Sequence, residues 1–370
     1  MGKTLKNSVL CADIGTTSLK AALIAPLAPA GGRLLAFSRE TYGASPAGAG
    51  LWEAAFYRAV KFLRAASPAV RIDAVCISGN GPTLVPLTGN PLDNDSALPP
   101  LYWFSPAVAA PSAGWKKTAS LFLPRAAYFR QNQPENYAKT SLFLSCQEWL
   151  SARLGAEPVT VLPTRYYRPY YYDDDQFAAF SLDSRKFPPF VPLGAHIGRV
   201  SAEAARRSGL EAGIPIVAGG PDFIMALIGS GATEPGLVCD RAGSSEGINV
   251  CAAEAPPESV AAAHSLRVLP HAIEGLWNVS VVIPESGVLF DRYRLETGQQ
   301  NIPYEETLKS MISRTDGAGG TTETLHPVLQ KIADGVRQAL ETLRKAGYPV
   351  YEMRHSGGQA KSPLWNRVKA

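Results

Sequence analysis

The chain has 370 residues, 46% apolar and 18% charged, with a net charge of only +4. That is the composition of an ordinary globular protein with length for two domains. No basic run marks a nucleic-acid surface, and no apolar stretch is long enough to span a bilayer. Met1–Leu10 carries two lysines and no apolar h-region before Asp13, and Lys6 spoils a myristoylation pattern at Gly2. Cys11, Cys76, Cys146, Cys239 and Cys251 are odd in number, lack CxxC spacing, and mostly lie in apolar runs. They read as inert core thiols in a reducing compartment, so a cytoplasmic protein is expected. The five histidines show no metal-ligand spacing.

In chain order, Ser8–Asp13, Leu19–Ile24 and Arg33–Glu40 read as three successive strands. Leu51–Ala66 carries apolar residues at helical spacing and stops at Pro68; Ile72–Ser78 and Thr83–Leu87 are β-rich. Three adjacent strands followed by a helical crossover predict a mixed sheet. From Pro99 to about Ala195 the pattern weakens. The run Arg165–Asp175 holds five tyrosines, which suit either a sugar-stacking surface or, preferably, a loop packed on its neighbours. Ser141–Leu154 is predicted as one helix with Leu142, Cys146, Trp149 and Leu150 on one face. Ile214–Ala218 predicts a strand, followed by a helix over Phe223–Gly229. A second group of strands follows at Gly236–Asp240, Ile248–Ala252, Leu266–Leu269 and Trp277–Ile283. Helices are predicted near Glu285–Leu295 and Glu323–Ala346, and a last strand over Val350–His355. The strand-turn-strand opening thus recurs from about Gly236, which predicts a duplicated architecture with a cleft between halves.

Three glycine turns carry the chemistry. A strand delivers Asp13; Gly15 allows a tight turn, and Thr16, Thr17 and Ser18 offer hydroxyls and N–H groups to an anion. A carboxylate beside phosphates needs a cation, so Asp13 is a candidate to hold Mg²⁺ through water. A plain polar hairpin accounts for the same residues. No Walker A pattern occurs. Asp222 follows Gly219-Gly220-Pro221 at a strand end, where Asp is also a favoured helix cap. Gly243-Ser244-Ser245 reads on its own as a hairpin turn between two strands. Gly357 and Gly358 would let a flat ligand lie on the backbone, although such a pair is usually a loop.

Together these segments identify a resemblance. Asp13–Lys20 looks like the first phosphate motif of the FGGY carbohydrate kinases, within the sugar kinase, Hsp70 and actin superfamily. Ile77–Leu87 resembles the segment that begins the family's sugar site. Ala218–Phe223 resembles the segment holding its catalytic aspartate, Ala242–Ser245 its second phosphate loop, and Ser356–Asn366 its adenosine motif. Xylulokinase-like members look nearest.

The resemblance implies an α/β fold of two ribonuclease-H-like, actin-like ATPase domains around a cleft, about 1–232 and 233–370. It implies transfer of the ATP γ-phosphoryl group to a sugar or polyol, with Asp222 as general base and ATP and Mg²⁺ as cofactors. Gly15, Thr16, Thr17, Ser18, Gly243, Ser244, Ser245, Gly357, Gly358, Gln359, Lys361 and Asn366 would bind nucleotide. Asn80, Gly81, Thr83, Trp103 and Asp222 would meet the small-molecule substrate. No nucleic-acid or membrane partner is implied, and a homodimer is admitted.

Two departures stand out. The family's Asp and Arg after the Trp are replaced by Phe104, Ser105 and Pro106, while Asn80 replaces a commoner Gln and Pro82 removes a donor. The chain also stops at Ala370, shortly after the adenosine motif, so the second domain is expected to be C-terminally incomplete. A fragment, a truncated product or completion by a partner chain would each fit that expectation. A binding protein without turnover, or a sugar-independent ATPase, are the competing functions.

Overall fold

The computed structural model describes residues 6–27, 31–43, 48–93, 96–105, 118–243, 246–284, 286–317 and 320–370. The chain divides into two compact units, Met1–Met225 and Ala226–Ala370. Among the described residues, no helix is long and apolar enough to cross a membrane.

In the first unit, β1 (Lys6–Ile14), β2 (Ser18–Pro26) and β3 (Gly32–Thr41) form an antiparallel meander. The helix Ala49–Ala66 then crosses over to β4 (Val70–Gly79), which lies parallel to β1. Trp52, Phe56, Val60 and Leu63 of that helix are fully buried on the sheet, as the 3.6-residue spacing requires. Further along come β5 (Leu84–Leu87), β6 (Leu142–Ser145), β7 (Thr160–Leu162), β8 (Phe190–Pro192), β9 (His196–Arg199) and β10 (Pro215–Pro221). The main sheet has the order β3-β2-β1-β4-β10-β9, with β10 parallel to β4 and β9 antiparallel at the edge.

The expected helix over Ser141–Leu154 is corrected at its start. Leu142–Ser145 is a strand paired antiparallel with β5, and the helix runs over Cys146–Leu154. A capping-box arrangement decides the boundary: Ser145 stands at the N-cap, and the Glu148 carboxylate accepts the Ser145 N–H at 2.8 Å. Every residue of this helix is buried, its polar Gln147, Glu148, Ser151 and Arg153 included. Its Arg153 meets Glu53 through two bonds of 3.0 and 3.1 Å, joining it to the crossover helix.

Over Arg165–Asp175 the packed reading is the one the structure displays. Tyr167, Tyr171 and Tyr172 are buried, and Tyr172 packs on Phe177, Phe187 and Phe190 with ring centroids 4.7–5.1 Å apart.

The second unit contains β11 (Leu237–Ala242), β12 (Glu246–Ala252), β13 (Arg267–Pro270), β14 (Trp277–Ile283), β15 (Ile312–Gly317), β16 (Gly320–Leu325) and β17 (Glu352–Gly357). Its main sheet has the order β13-β14-β12-β11-β17. Pairings β11/β12 and β12/β14 are antiparallel, and β11/β17 is parallel after the crossover helix Pro327–Lys345. This repeats the plan of β1, β2, β3 and β4, so the duplication expected from the order of elements is present in the topology. The helix expected over Glu323–Ala346 is shorter than predicted. Gly320–Leu325 pairs with β15 instead, and Pro327 opens the helix, where a missing N–H costs nothing. Leu329, Ile332, Val336 and Leu343 form its buried stripe.

Close backbone approach fixes the strands that end at Gly79 and Pro221. A Cβ on Gly219 would lie 2.0 Å from the Ile77 carbonyl oxygen, whereas one on Gly50, in the first turn of the crossover helix, meets nothing within 4 Å. Gly219→Ala is therefore expected to lower stability by about 1–3 kcal/mol or more, and Gly50→Ala to be neutral or stabilising by up to about 1 kcal/mol. Urea denaturation midpoints of the two variants check the contrast.

Candidate functional site

The register of β1, β4 and β10 places the first unit's two chemistry-bearing carboxylates. Asp13 pairs with Ser78 and Ile14 with Gly79 across β1/β4, while Gly79 pairs with Pro221 across β4/β10. Asp13 and Asp222 therefore stand at the same carboxyl edge of one sheet, on the strands flanking β4, with strand axes about 10 Å apart. Both act on one neighbour: the Cys146 thiol is pushed well up, first by complete burial and then by the charges of Asp222 and Asp13. The Sγ of Cys146 lies 2.4 Å from where a Gly79 Cβ would stand and approaches the Asn80 carbonyl at 3.3 Å.

Asp13 accepts from Lys20 Nζ and from Ser78 Oγ, each at 3.3 Å, and its side chain is one-third exposed. A carboxylate beside a hydroxyl, open to water on one side, is an oxygen donor set of the kind Mg²⁺ uses when it keeps most of its water shell. Those residues fit a hydrated cation. No group of three or more His, Cys, Asp or Glu able to hold a metal directly occurs among the described residues. Asp222 opens the helix Asp222–Ser230, and its Oδ1 accepts the Phe223 N–H at 2.7 Å. A helix N-terminus favours negative charge, so the base and the cap readings of Asp222 are compatible.

The first glycine turn is tight. The Gly15 N–H donates to the Ser18 carbonyl at 3.1 Å, and a Cβ on Gly15 would press on that oxygen at 2.9 Å. Thr17 is exposed and Thr16 half-buried. Ser18 behaves differently from its neighbours: it is buried, begins β2, and accepts from Arg39 Nε at 3.1 Å. Its hydroxyl thus ties the start of β2 to β3.

Asn80 and Thr83 are buried and bonded to the chain itself. The Asn80 Nδ2 donates to the Ile14 carbonyl at 2.9 Å, and its Oδ1 accepts from Thr83 Oγ1 at 2.7 Å. Gly81 lies against Pro221, 3.2 Å from a would-be Cβ, so this segment abuts the residue just before Asp222. Trp103 is 44% exposed, and its carbonyl accepts from Arg125 Nη2 at 2.9 Å. Arg125, from the helix Leu123–Asn132, is thus a cation beside the Trp103 segment; no motif flagged it. Burial pushes it down to about 10. Pro106 lies outside the described residues.

In the second unit, the register Ala242↔Gly357 brings Gly243 and the Gly357-Gly358 turn to one sheet edge. Gly357 has φ +99, and a Cβ there would lie 2.1 Å from the Ala242 carbonyl oxygen. Gly243 and Gly358 are exposed, and a Cβ on Gly358 meets nothing within 4 Å. Ser244 and Ser245 lie outside the described residues. Gln359 and Lys361 belong to a short 3-10 turn, the Gln359 Oε1 being buried without a partner among the described residues. Asn366 donates to the Ala360 carbonyl at 3.5 Å.

The same edge holds a charge cluster that sequence reasoning missed. Asp240 and Glu246 are fully buried, and the Lys369 side chain is 1% exposed between them. Lys369 Nζ lies 3.0 Å from Asp240 Oδ2 and also contacts Glu246 Oε1. His355 Nδ1 is 2.8 Å from Asp240 Oδ2, and Ser286 Oγ donates to Glu246. Charged residues inside apolar strand runs were the available signal. Burial, then the Asp240 carboxylate, pushes Glu246 up to about 7. Burial also works against ionised Asp240, but bonds from His355 and Glu246 and the Lys369 charge outweigh it and hold Asp240 low.

Residues 122–229 match the family described as the FGGY family of carbohydrate kinases, N-terminal domain. The match includes Asp222 and stops short of Asp13 and of the second unit's turns. An autoinducer-2 kinase of Klebsiella pneumoniae subsp. pneumoniae is 27% identical over 168 residues, 42% of this chain and 30% of that protein. A xylulose kinase of Staphylococcus epidermidis is 21% identical over 283 residues, 67% of this chain and 56% of that protein. The chain thus matches from about a third to just over half the length of these curated relatives. Among solved structures, the xylulose kinase from Rhodospirillum rubrum superposes with a TM-score of 0.71 at 19% identity, over 98% of this chain and 84% of that one. Plasmodium falciparum glycerol kinase with ADP gives 0.73 at 13% identity, over 100% and 85%. The fold is that of the two-domain sugar kinases, and the match to the FGGY family that the motifs resemble lies within residues 122–229.

The raised Glu246 carboxyl makes stability fall as pH rises. Between its ordinary value of 4.5 and about 7 the folded state holds a proton that the unfolded state releases. The contribution of this carboxyl is fully present below pH 4.5 and declines up to about pH 7, by an amount on the order of 1–3 kcal/mol. Glu246→Gln should flatten that decline, read as the difference between wild-type and variant urea midpoints at pH 5 and pH 8.

Proposed function

We propose that this FGGY-type chain transfers the γ-phosphoryl group of ATP to a hydroxyl of a sugar or polyol. The observation that carries the reading is the meeting of Asp13 and Asp222 at one edge of the β1-β4-β10 sheet, either side of the strand that ends at Gly79.

Asp222 is the general base. Its carboxylate is steadied by the Phe223 N–H and lies at a helix N-terminus, so it is held in orientation while it takes the proton of the acceptor hydroxyl. The oxygen left behind attacks the γ-phosphorus, the bond to the β-phosphate oxygen breaks, and ADP departs. Phosphoryl transfer depends mainly on positioning and charge stabilisation, so one carboxylate suffices. Asp13 would hold Mg²⁺ through water, and the cation would supply neutralising charge for the phosphates. Thr16 and Thr17 offer polar groups at the first turn. Asn80 and Thr83 position the segment leading to Gly81, and Trp103 presents an exposed aromatic face of the sort sugars stack on. In the second unit, Gly243 and the Gly357-Gly358 turn form a backbone surface for nucleotide, with Gln359, Lys361 and Asn366 as polar neighbours.

Asp222→Asn should lower kcat by about 10²–10⁴-fold and leave ATP·Mg²⁺ affinity within about twofold, because the amide keeps the shape but cannot accept the proton. Turnover is measured as sugar-dependent ADP release across a panel of pentuloses, hexuloses and polyols. Wild-type ATP consumption no higher than that of the Asp222→Asn variant on every acceptor overturns the kinase reading. ATP·Mg²⁺ binding without turnover would leave a nucleotide-binding protein.

A further inference from the structure

The buried charges of the second unit join the elements that carry its two glycine turns. Asp240 lies on β11, two residues before Ala242, and Glu246 is the direct cross-strand partner of Ala242 on β12. The two carboxylates are diagonal neighbours on one face of the hairpin that ends at Gly243. His355 is the direct partner of Asp240 on β17, two residues before Gly357. Lys369 closes the helix Pro363–Lys369, which follows Gly358 and the Gln359–Lys361 turn. One ammonium therefore bonds both strands of the hairpin, and one imidazole bonds the hairpin to the strand entering the other turn.

Burying two carboxylates and an ammonium is costly, and well-packed apolar side chains commonly give equal or greater stability. What the ions provide instead is direction: each bond fixes where one element stands against another. We propose that Asp240, Glu246 and Lys369 are positioning residues for nucleotide, locking the Gly243 turn to the Gly357-Gly358 turn so that phosphates and nucleoside meet a preformed backbone surface. The proposal rests on the nucleotide reading of these turns.

The arrangement has a consequence for pH. The groups facing Glu246 are Asp240 from β11, Ser286 from the helix Ser286–Glu296, and Lys369, whose ammonium also lies 5.8 Å from the Trp365 ring. His355 reaches the cluster through Asp240. With Glu246 protonated, one carboxylate balances one ammonium. With Glu246 ionised, near pH 7 and above, an extra negative charge stands at the base of the turn. Bound phosphates oppose that charge, so nucleotide affinity falls as pH rises.

Magnesium ADP, which cannot turn over, is the probe. Its dissociation constant is measured by calorimetry on the whole chain at pH 6 and pH 8. For the wild type it should rise roughly three- to tenfold between the two, and for Glu246→Gln by less than half as much, the nucleotide's own titration cancelling in the comparison. Lys369→Met should weaken binding about tenfold at pH 7 with Lys369→Arg recovering part of it. If Lys369→Met does not fold, the wild-type and Glu246→Gln pair decides. Superimposed pH profiles of those two chains overturn the positioning role while leaving the nucleotide reading intact. A wild-type chain that binds no magnesium ADP at either pH removes the nucleotide reading and this proposal with it.

Discussion

Everything in the first unit's candidate site depends on the amide of Asn80. It is buried where β1 and β4 end, and it donates to the carbonyl of Ile14, the residue after Asp13. Its own backbone N–H bonds the same oxygen at 2.8 Å. Two donors on one carbonyl hold the ends of neighbouring strands together and leave no slack in the position of Asp13. The other end of the amide accepts from Thr83, which starts the chain toward β5. A partner lost here strands a buried polar atom, which costs more than the hydrogen bond itself contributes. Glycines complete the constraint. Gly79 leaves room for the Cys146 sulfur and Gly219 lets β10 lie against Ile77. Asp222 thereby arrives at a fixed offset from Asp13.

The second unit uses the same strand plan with a different lock. Where β1 and β4 are held by a neutral amide, β11, β12 and β17 are held by ions shared among Asp240, Glu246, His355 and Lys369. A neutral clamp is indifferent to pH over the physiological range. An ionic one is not, because a carboxyl pair sharing one ammonium sits near its own balance point. The two halves thus share a backbone topology and differ in the physics that keeps their turns in place.

Much of this was legible in the residues. Alternating apolar runs and the 3.6-residue stripe over Leu51–Ala66 fixed the order of elements in the first ninety residues. The ordered motifs pointed to the family now matched over residues 122–229. What stayed hidden had physical reasons. Leu142–Ser145 is a four-residue strand whose Leu142 continues the spacing of the helix after it, and so short an apolar run cannot be told from a helix turn by period. The start of the last crossover helix was drawn too early because Leu325 falls in register with Leu329 and Ile332 while belonging to a strand. Ser18 read as part of a phosphate turn because its neighbours are hydroxyl residues; its hydroxyl accepts from Arg39, on a strand far along the chain. The cluster around Lys369 joins residues 129 positions apart, a separation that no local pattern encodes.

Cys146 gives the carboxyl edge of the first sheet an internal gauge. Its sulfur is sealed beneath Gly79, beside Asn80, and in the field of both Asp222 and Asp13. A thiol there stays protonated and out of reach of alkylating reagents as long as the strand ends remain closed over it. The rate at which that one sulfur takes up a label therefore reports how often this corner of the molecule breathes, without any probe being added to the acid-bearing surface itself.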